Sequence, residues 1–196
     1  MKRIVLATHN SDKAKEFRQI FADVGVSVVT LDEYPNVEPI EEDAETLEGN
    51  ALKKARGVFR LTGVPSLADD TGLEVHYLND APGVFSSRYA GEGATYADNV
   101  RKLLKQMRGV PPRRRGARFR CVLAFVPAAG VMEVAEGTCK GVILEHPRGE
   151  RGFGYDPVFL PYGHSVTFAE MDLNLKNNVS HRARAAEAMK QILRKY

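Results

Sequence analysis

Apolar and polar positions follow the periods of strands and helices from the start of the chain. Residues 3–7 are mostly apolar and predict a strand, which a polar turn at Thr8-His9-Asn10 follows. Apolar side chains then recur at helical spacing from Ala14 until Gly25, and a glycine at that place is typical of a helix end. The chain is therefore predicted to begin as a strand, a tight turn and a helix.

The same periods continue towards the C-terminus. They predict strands near residues 26–31, 117–126 and 131–144, and helices over residues 46–62 and 96–107. They also predict a short helix with its capping box at Thr167 to Glu170 and a last helix capped by Ser180. Between residues 66 and 78 an apolar strand pattern is interrupted by Asp69-Asp70-Thr71-Gly72. The two long strands around residues 128–130 are predicted to form a hairpin. We therefore expect an α/β fold whose sheet is partly antiparallel.

Composition and charge limit the classes of protein. With 196 residues, of which 43% are hydrophobic and 27% charged, the chain fits one globular domain over residues 1–196. The net charge of +3 is too small to indicate a protein that coats polyanions. Neither Cys121 nor Cys139 lies in a C-x-x-C pair, and no apolar run reaches the roughly 18 residues of a membrane span. We expect a cytoplasmic protein without a membrane partner.

Lys13 falls in the first turn of the first predicted helix, where the helix dipole disfavours a cation unless an anion lies nearby. The free backbone N–H groups of that turn, together with Thr8 and Asn10, could cradle a phosphate. A surface lysine on a well-capped helix is the alternative. From the dipole alone, the Lys13→Ala variant is expected to keep or slightly raise the stability of the free protein.

Five carboxylates are concentrated in Glu41-Glu42-Asp43 and Asp69-Asp70. The Asp pair lies within an apolar pattern, where burial favours the protonated form unless a cation compensates. Hard oxygen ligands without a His or Cys cluster point to Mg²⁺ or Mn²⁺. A solvated acidic loop is the alternative for the first tract, and an Asx-turn before Gly72 is the alternative for the second.

Three later tracts carry further candidate chemistry. Phe153-Gly154-Tyr155-Asp156 sets an aromatic ring beside a carboxylate, which suits a nucleobase slot, although a plain aromatic turn also explains it. Ser180-His181-Arg182 places a cation at the start of the last helix, and a Ser adjacent to a His does not form a catalytic triad. Five arginines within residues 113–120 suggest a nucleic-acid-binding module as a rival, with a solvated turn as the favoured explanation.

Taken together, these motifs closely resemble those of the inosine/xanthosine triphosphate pyrophosphatases, which hydrolyse noncanonical purine nucleoside triphosphates. The matching signatures, in the family's order over essentially the whole chain, are Thr8-x-Asn10-x-x-Lys13, Ala68-Asp69-Asp70-Thr71-Gly72-Leu73, Phe153-Gly154-Tyr155-Asp156-Pro157 and Ser180-His181-Arg182. The resemblance implies a two-lobed α/β fold with a long mixed sheet flanked by helices, an interlobe cleft and a homodimer. It also implies hydrolysis of ITP, dITP and XTP to the monophosphate and pyrophosphate, with no stable nucleic-acid partner.

The resemblance also implies a role for each motif. The triphosphate would be held by Thr8, Asn10, Lys13 and Lys54, and the nucleotide would be contacted by Thr71. Mg²⁺ or a substituting Mn²⁺ would be bound by Glu42 and Asp70. The base pocket would be lined by Phe153, Gly154, Tyr155, Asp156, Lys176, His181 and Arg182. Asp70 would be the catalytic residue, orienting a water more than deprotonating it. Because Glu41 and Asp69 adjoin these ligands, a shift by one residue is the alternative at both places.

The donor-only guanidinium of Arg182 suits the 6-oxo group of hypoxanthine or xanthine and offers no acceptor to the 6-amino group of adenine. ATP is therefore expected to be rejected. A septum-inhibitor-type nucleotide pyrophosphatase, with the same chemistry and a different base pocket, is the nearest rival enzyme.

Overall fold

The computed structural model describes residues 2–196 as a mixed α/β protein. Its strands are β1 (Lys2–Leu6), β2 (Val26–Thr30), β3 (Ser66–Val75), β4 (Ala81–Gly83), β5 (Gly116–Val126), β6 (Glu133–Ile143) and β7 (Phe159–Pro161). Its helices are α1 (Ser11–Ile20), α2 (Leu47–Thr62), α3 (Tyr96–Gln106), α4 (Leu173–Val179) and α5 (His181–Leu193). Within residues 2–196, none of the helices combines the length and apolar character that crossing a bilayer requires.

The seven strands form one sheet in the order β2-β1-β3-β5-β6-β7, with β4 paired to β3. β1 runs parallel to β2 and to β3. The crossovers between these parallel strands carry helices, since α1 connects β1 to β2 and α2 connects β2 to β3. β4 is antiparallel to β3, and β7 is antiparallel to β6. The prediction of a mixed sheet flanked by helices is therefore confirmed.

The chain forms two compact units, each with an apolar core. Unit 1 contains the chain up to Asp70 together with residues 121–137 and 182–196, and unit 2 contains residues 71–120 and 138–181. The core of unit 1 is built around Phe17 and Leu123, and that of unit 2 around Phe119 and Phe159. A single two-lobed domain over residues 1–196 with an interlobe cleft stays a prediction.

The starts of α1 and α2 and the end of α2 lie where their capping residues predict, whereas α1 ends at Ile20, before the predicted stop at Gly25, and a 3₁₀ turn follows it. The side chain of Asn10 accepts hydrogen bonds from the first-turn N–H groups of α1, and the hydroxyl of Thr46 accepts the N–H of Gly49 in α2. Gly63 ends α2 in the left-handed conformation at φ 67°, which glycine adopts without a Cβ penalty. The start of α1 is therefore fixed beside the end of β1.

Strand β3 differs from its predicted form. The interruption at Asp69–Gly72 is wrong, because β3 continues through these residues to Val75, where a 3₁₀ turn begins. A Cβ on Gly72 would lie 2.6 Å from the carbonyl oxygen of Gly83, so glycine is needed for β4 to approach. Asp69 and Asp70 thus lie on a strand, which excludes the Asx-turn alternative.

The segment before α5 also differs from prediction. Residues 167–170 form a turn instead of a helix, although the Thr167 hydroxyl accepts the Glu170 N–H and the Glu170 carboxylate accepts the Thr167 N–H. The helix lies slightly later, as α4, and Asp172 caps it by accepting the N–H of Leu175. Thr167 and Glu170 thus form the reciprocal hydrogen bonds of a capping box, but these bonds close a turn and do not start a helix.

The basic tract at residues 113–120 is mostly committed to the fold of unit 2. The buried Arg115 guanidinium donates to the carbonyl oxygens of Ile143, Met107 and Leu144 at 2.6–2.8 Å. Arg118 and Arg120 both pair with the buried carboxylate of Glu74. These three arginines therefore stabilise the protein, and the nucleic-acid-binding interpretation loses most of its cations.

Arg115→Lys is expected to lower the free energy of unfolding by about 2–4 kcal/mol, because an ammonium cannot reproduce the planar fork and leaves buried carbonyls without donors. The exposed Arg113 in the same tract provides the control. Arg113→Lys should stay within about 0.5 kcal/mol of the wild type. Urea unfolding followed by circular dichroism measures both, and equal stability of the two variants would contradict the assigned role of Arg115.

Candidate active site

The turn between β1 and α1 is shaped by the two side chains predicted to hold phosphate. Thr8 Oγ1 accepts the N–H of Asn10 at 3.1 Å, and Asn10 Oδ1 accepts the N–H groups of Asp12 and Lys13 at 3.0 and 3.1 Å. The oxygens of Thr8 and Asn10 therefore build the turn. A phosphate would be met by hydrogen-bearing atoms, at the positive end of the helix dipole.

Lys13 pairs with Asp69, since its Nζ lies 2.9 Å from Oδ2 of that fully buried carboxylate. This carboxylate is the anion that offsets the unfavourable position of Lys13 at the start of α1. Burial alone would raise the pKa of Asp69, but the positive charges of Lys13, Lys54 and Arg182 together lower it to about 2. The expectation that removal of Lys13 leaves stability unchanged is thereby reversed.

Arg182, in the first turn of α5, is also directed into unit 1. Its Nη1 donates to Oε2 of Glu16 on α1, and its guanidinium lies 5.6 Å from the ring centroid of Phe17. Arg182 and Glu16 are both buried. Glu16 is not among the residues predicted from the sequence, although its position three residues after Lys13 places both on one face of the helix. The starts of α1 and α5 therefore both direct a cation towards Asp69.

Asp70 follows on β3 and has a different set of partners. Its Oδ2 accepts the side-chain N–H of Asn50 at 3.1 Å, and its Oδ1 lies 3.4 Å from Lys54 Nζ. Burial raises the pKa of Asp70, and the charge of Glu42 adds to this, outweighing the lysines. Burial would lower the pKa of Lys54, but the carboxylates of Asp70, Asp69 and Glu42 raise it above its ordinary value.

The acidic loop contributes one residue to this cluster. Lys54 Nζ lies 2.5 Å from Oε1 of Glu42, whereas Glu41 is exposed and Asp43 pairs with Lys53 on the surface. Of the three acids in the loop, Glu42 is therefore the one that faces Asp70 across a shared ammonium. A fully solvated loop does not describe Glu42.

The pair of Glu42 and Asp70 fits one kind of metal. Across residues 2–196, no group of three or more His, Cys, Asp or Glu side chains is arranged to hold an ion. Mg²⁺ is commonly bound by one or two carboxylates, with water and substrate phosphates supplying the other oxygens. The two carboxylates supply oxygen ligands of the kind such an ion takes, and both contact the same ammonium of Lys54.

In unit 2, the loop carrying Phe153 is closed by Asp156. Oδ2 of Asp156 accepts the N–H of Phe153 at 2.9 Å and lies 2.5 Å from Nζ of the buried Lys176 on α4. The same ammonium lies 4.7 Å from the centroid of the Phe153 ring. Gly152, at φ +70°, allows the closure because a Cβ would lie 2.1 Å from Asp156 Oδ2. Phe153, Asp156 and Lys176 are thus brought together, and their role in a base pocket stays a prediction.

Other members of the predicted base pocket are part of the core of unit 2. Tyr155 is buried and its hydroxyl donates to the carbonyl oxygen of Ser86 at 3.0 Å, while burial raises the pKa of its phenol. His181 is buried and stacks on Phe119, with the two ring centroids 4.6 Å apart. Gly154 is half-buried, as is Thr71, which was predicted to contact the nucleotide. Phe153, also half-buried, therefore offers the accessible ring of this motif.

Comparisons with known proteins show which family this chain resembles. The model of the Ham1 family matches residues 4–192. A dITP/XTP pyrophosphatase of Desulforamulus reducens is 46% identical over 97% of this chain and 95% of its own length. One from Caldanaerobacter subterraneus is 47% identical over 100% of this chain and 98% of its own. The structure of a HAM1 protein from Coxiella burnetii has a TM-score of 0.90 and 40% identity, covering 100% of both chains.

Lys13→Ala is expected to lower the free energy of unfolding of the free protein by about 1–3 kcal/mol, because it removes a partner of the buried Asp69 carboxylate. Lys15→Ala on the same helix is the matched control, since Lys15 is exposed, and should change stability by less than about 0.5 kcal/mol. Urea unfolding without ligand distinguishes the two. Unchanged stability of Lys13→Ala would restore the argument from the dipole alone.

Proposed function

The chain belongs to the Ham1 family, and we propose that it hydrolyses ITP, dITP and XTP to the nucleoside monophosphate and pyrophosphate. The relatives named dITP/XTP pyrophosphatases support the substrate class. The observation that carries the proposal is the buried cluster in unit 1, where Lys13 and Lys54 adjoin the carboxylates of Asp69 and Asp70. Cations for a triphosphate and a carboxylate for water thus lie side by side.

The triphosphate would be bound by the first turn of α1 and by two lysines. The N–H groups of that turn, the hydrogen-bearing atoms of Thr8 and Asn10, and the ammonium of Lys13 offer donors to phosphate oxygens. Lys54 is 9% exposed in its side chain, so its charge acts in a medium where water screens it weakly. These residues would bind the charge that develops on the leaving pyrophosphate.

Hydrolysis breaks the bond between the α-phosphorus and the oxygen that bridges it to the β-phosphorus. A water oxygen attacks the α-phosphorus, pyrophosphate leaves with the bridging oxygen, and the proton lost by the water passes to a carboxylate or to solvent. Asp70 would accept a hydrogen bond from this water and hold its oxygen towards the phosphorus. This orienting role agrees with a carboxylate that Asn50 and Lys54 fix in place.

Glu42 and Asp70 would hold a divalent cation, Mg²⁺ with Mn²⁺ as a substitute. Such an ion supplies charge neutralisation on the phosphate oxygens when it is bound. Lys54 Nζ lies 2.5 Å from Glu42 and 3.4 Å from Asp70, so the same two carboxylates that would hold the ion also pair with this ammonium. The fit rests on the oxygen donors of these two carboxylates, which are ligands that Mg²⁺ and Mn²⁺ prefer.

Recognition of the base is assigned to Phe153, Gly154, Asp156, Lys176, His181 and Arg182, with Thr71 contacting the nucleotide and Tyr155 supporting the loop from the core. The half-buried Phe153 offers a ring for stacking. Arg182 offers donors to a 6-oxo group, and its pairing with Glu16 fixes the direction of the guanidinium. Adenine would leave those donors unpaired. The homodimer, implied by the resemblance, and the cytoplasmic location, expected from the cysteines and the lack of a long apolar run, remain predictions.

A substrate panel with a pyrophosphate readout, run with Mg²⁺ and with EDTA, tests the proposal. We expect ITP, dITP and XTP to be hydrolysed only with the divalent ion, and ATP to have a kcat/KM lower by about 10⁴-fold. Turnover of dTTP or UTP well above ITP would favour the septum-inhibitor-type enzyme. Tight oligonucleotide binding without turnover of any nucleotide would favour a nucleic-acid-binding module.

Asp70→Asn should reduce kcat by about 10²–10⁴-fold with little change in melting temperature. The raised pKa of Asp70 means that the fold disfavours its ionised form, so a neutral isostere costs little stability. Asp69→Asn is the matched control, because a lowered pKa means that the fold favours ionised Asp69. That variant should lower the melting temperature clearly, and full activity of Asp70→Asn would reject Asp70 as the catalytic residue.

A further inference from the structure

Asn50 on α2 joins two parts of unit 1 that are far apart in the sequence. Its side-chain Oδ1 accepts the N–H of Ala44 at 2.9 Å, and its Nδ2 donates to Oδ2 of Asp70 at 3.1 Å. Ala44 is two residues after Glu42 in the acidic loop, and Asp70 lies on β3. One side chain therefore fastens both the loop that carries Glu42 and the carboxylate of Asp70 to the same point on a helix.

The burial of Asn50 protects these two hydrogen bonds from water. Its side chain is 0% exposed, so water does not compete for either amide group. In a side-chain amide, unlike a hydroxyl, one atom only accepts and another only donates. The amide oxygen of Asn50 therefore binds the N–H of Ala44, and its nitrogen binds the carboxylate of Asp70. A buried polar group that lost either partner would leave a costly unsatisfied atom. The loop and Asp70 are thus tied to each other through one rigid group.

We propose that Asn50 is a positioning residue for the reaction: it orients the Asp70 carboxylate and sets its separation from Glu42. This inference rests on the proposed function, because it gives the orientation of Asp70 a consequence for turnover. Asn50 contacts neither substrate nor metal in this role. Residues that orient metal-binding carboxylates through hydrogen bonds typically change metal affinity or activity by about 10- to 100-fold when they are replaced.

Asn99 provides a matched control within unit 2. It is also a buried asparagine on a helix, its Oδ1 accepts the N–H of Ala90 at 2.7 Å, and its Nδ2 donates to the carbonyl oxygen of Ser87 at 3.0 Å. It therefore fastens a loop to a helix as Asn50 does, and a backbone carbonyl replaces the carboxylate. A purely structural role of Asn50 predicts that the two asparagines behave alike.

The experiment compares Asn50→Ala with Asn99→Ala in the full chain. Steady-state hydrolysis of ITP at saturating Mg²⁺ gives kcat and KM, calorimetric titration with Mn²⁺ gives metal affinity without turnover, and melting temperatures show that both variants are folded at the assay temperature. For Asn50→Ala we expect kcat to fall about 10- to 100-fold, KM to change by less than about threefold, and Mn²⁺ affinity to fall about 10-fold. Asn99→Ala should keep the wild-type values of all three while losing a comparable amount of stability.

Asn50→Asp separates the two hydrogen bonds of this side chain. A carboxylate oxygen can still accept the N–H of Ala44, whereas the group facing Asp70 changes from a donor to an acceptor. We expect kcat to remain low in this variant. Wild-type kcat in Asn50→Asp, or equal effects of Asn50→Ala and Asn99→Ala on kcat and Mn²⁺ affinity, would overturn the inference. A wild-type protein that does not hydrolyse ITP would instead refute the proposed function.

Discussion

The buried carboxylate of Asp69 is the interaction on which the arrangement of unit 1 depends. An ionised group with no exposure is tolerated only when opposite charge surrounds it, and Lys13, Lys54 and Arg182 supply that charge. These three cations come from α1, α2 and α5, and Asp69 from β3. Packing of three helices around one strand is therefore coupled to neutralisation of a single charge. The same constraint gathers cations at the end of β1, where a triphosphate would need them.

Asp69 and Asp70 illustrate how one strand can separate two roles. Successive side chains of a strand point to opposite faces, so neighbouring carboxylates meet different surroundings. The pKa of Asp69 is lowered to about 2 by its three cations, and that of Asp70 is raised by burial and by Glu42. Titratable groups that their environments push apart in this way are typical of acid–base sites. This contrast supports the catalytic role proposed for Asp70 and not for Asp69.

The sequence carried much of the fold because strongly periodic segments report local preferences. The first strand, turn and helix, the helix ending at Gly63 and the candidate Lys13 could all be predicted from period and caps. The continuity of β3 could not be predicted, because two adjacent acids within a buried strand need nearby cations. Those cations are Lys13 and Lys54, which are distant from Asp69 and Asp70 in the sequence. Helix α4 was missed because its seven residues lack an apolar period.

The partners of charged side chains were the least predictable feature, and they decide what a charge can do. Arg115 looks like a surface cation in a basic tract, yet its guanidinium satisfies buried carbonyl groups. Glu16 looks like a surface acid on a helix, yet it is the buried partner of Arg182. A charge that is paired with buried groups inside the fold contributes little to the electrostatic field outside the protein. The density of arginines in a sequence is therefore a poor guide to a binding surface. A cation at the start of a helix is a better guide to a binding site, because the helix dipole disfavours that cation unless an anion lies near it.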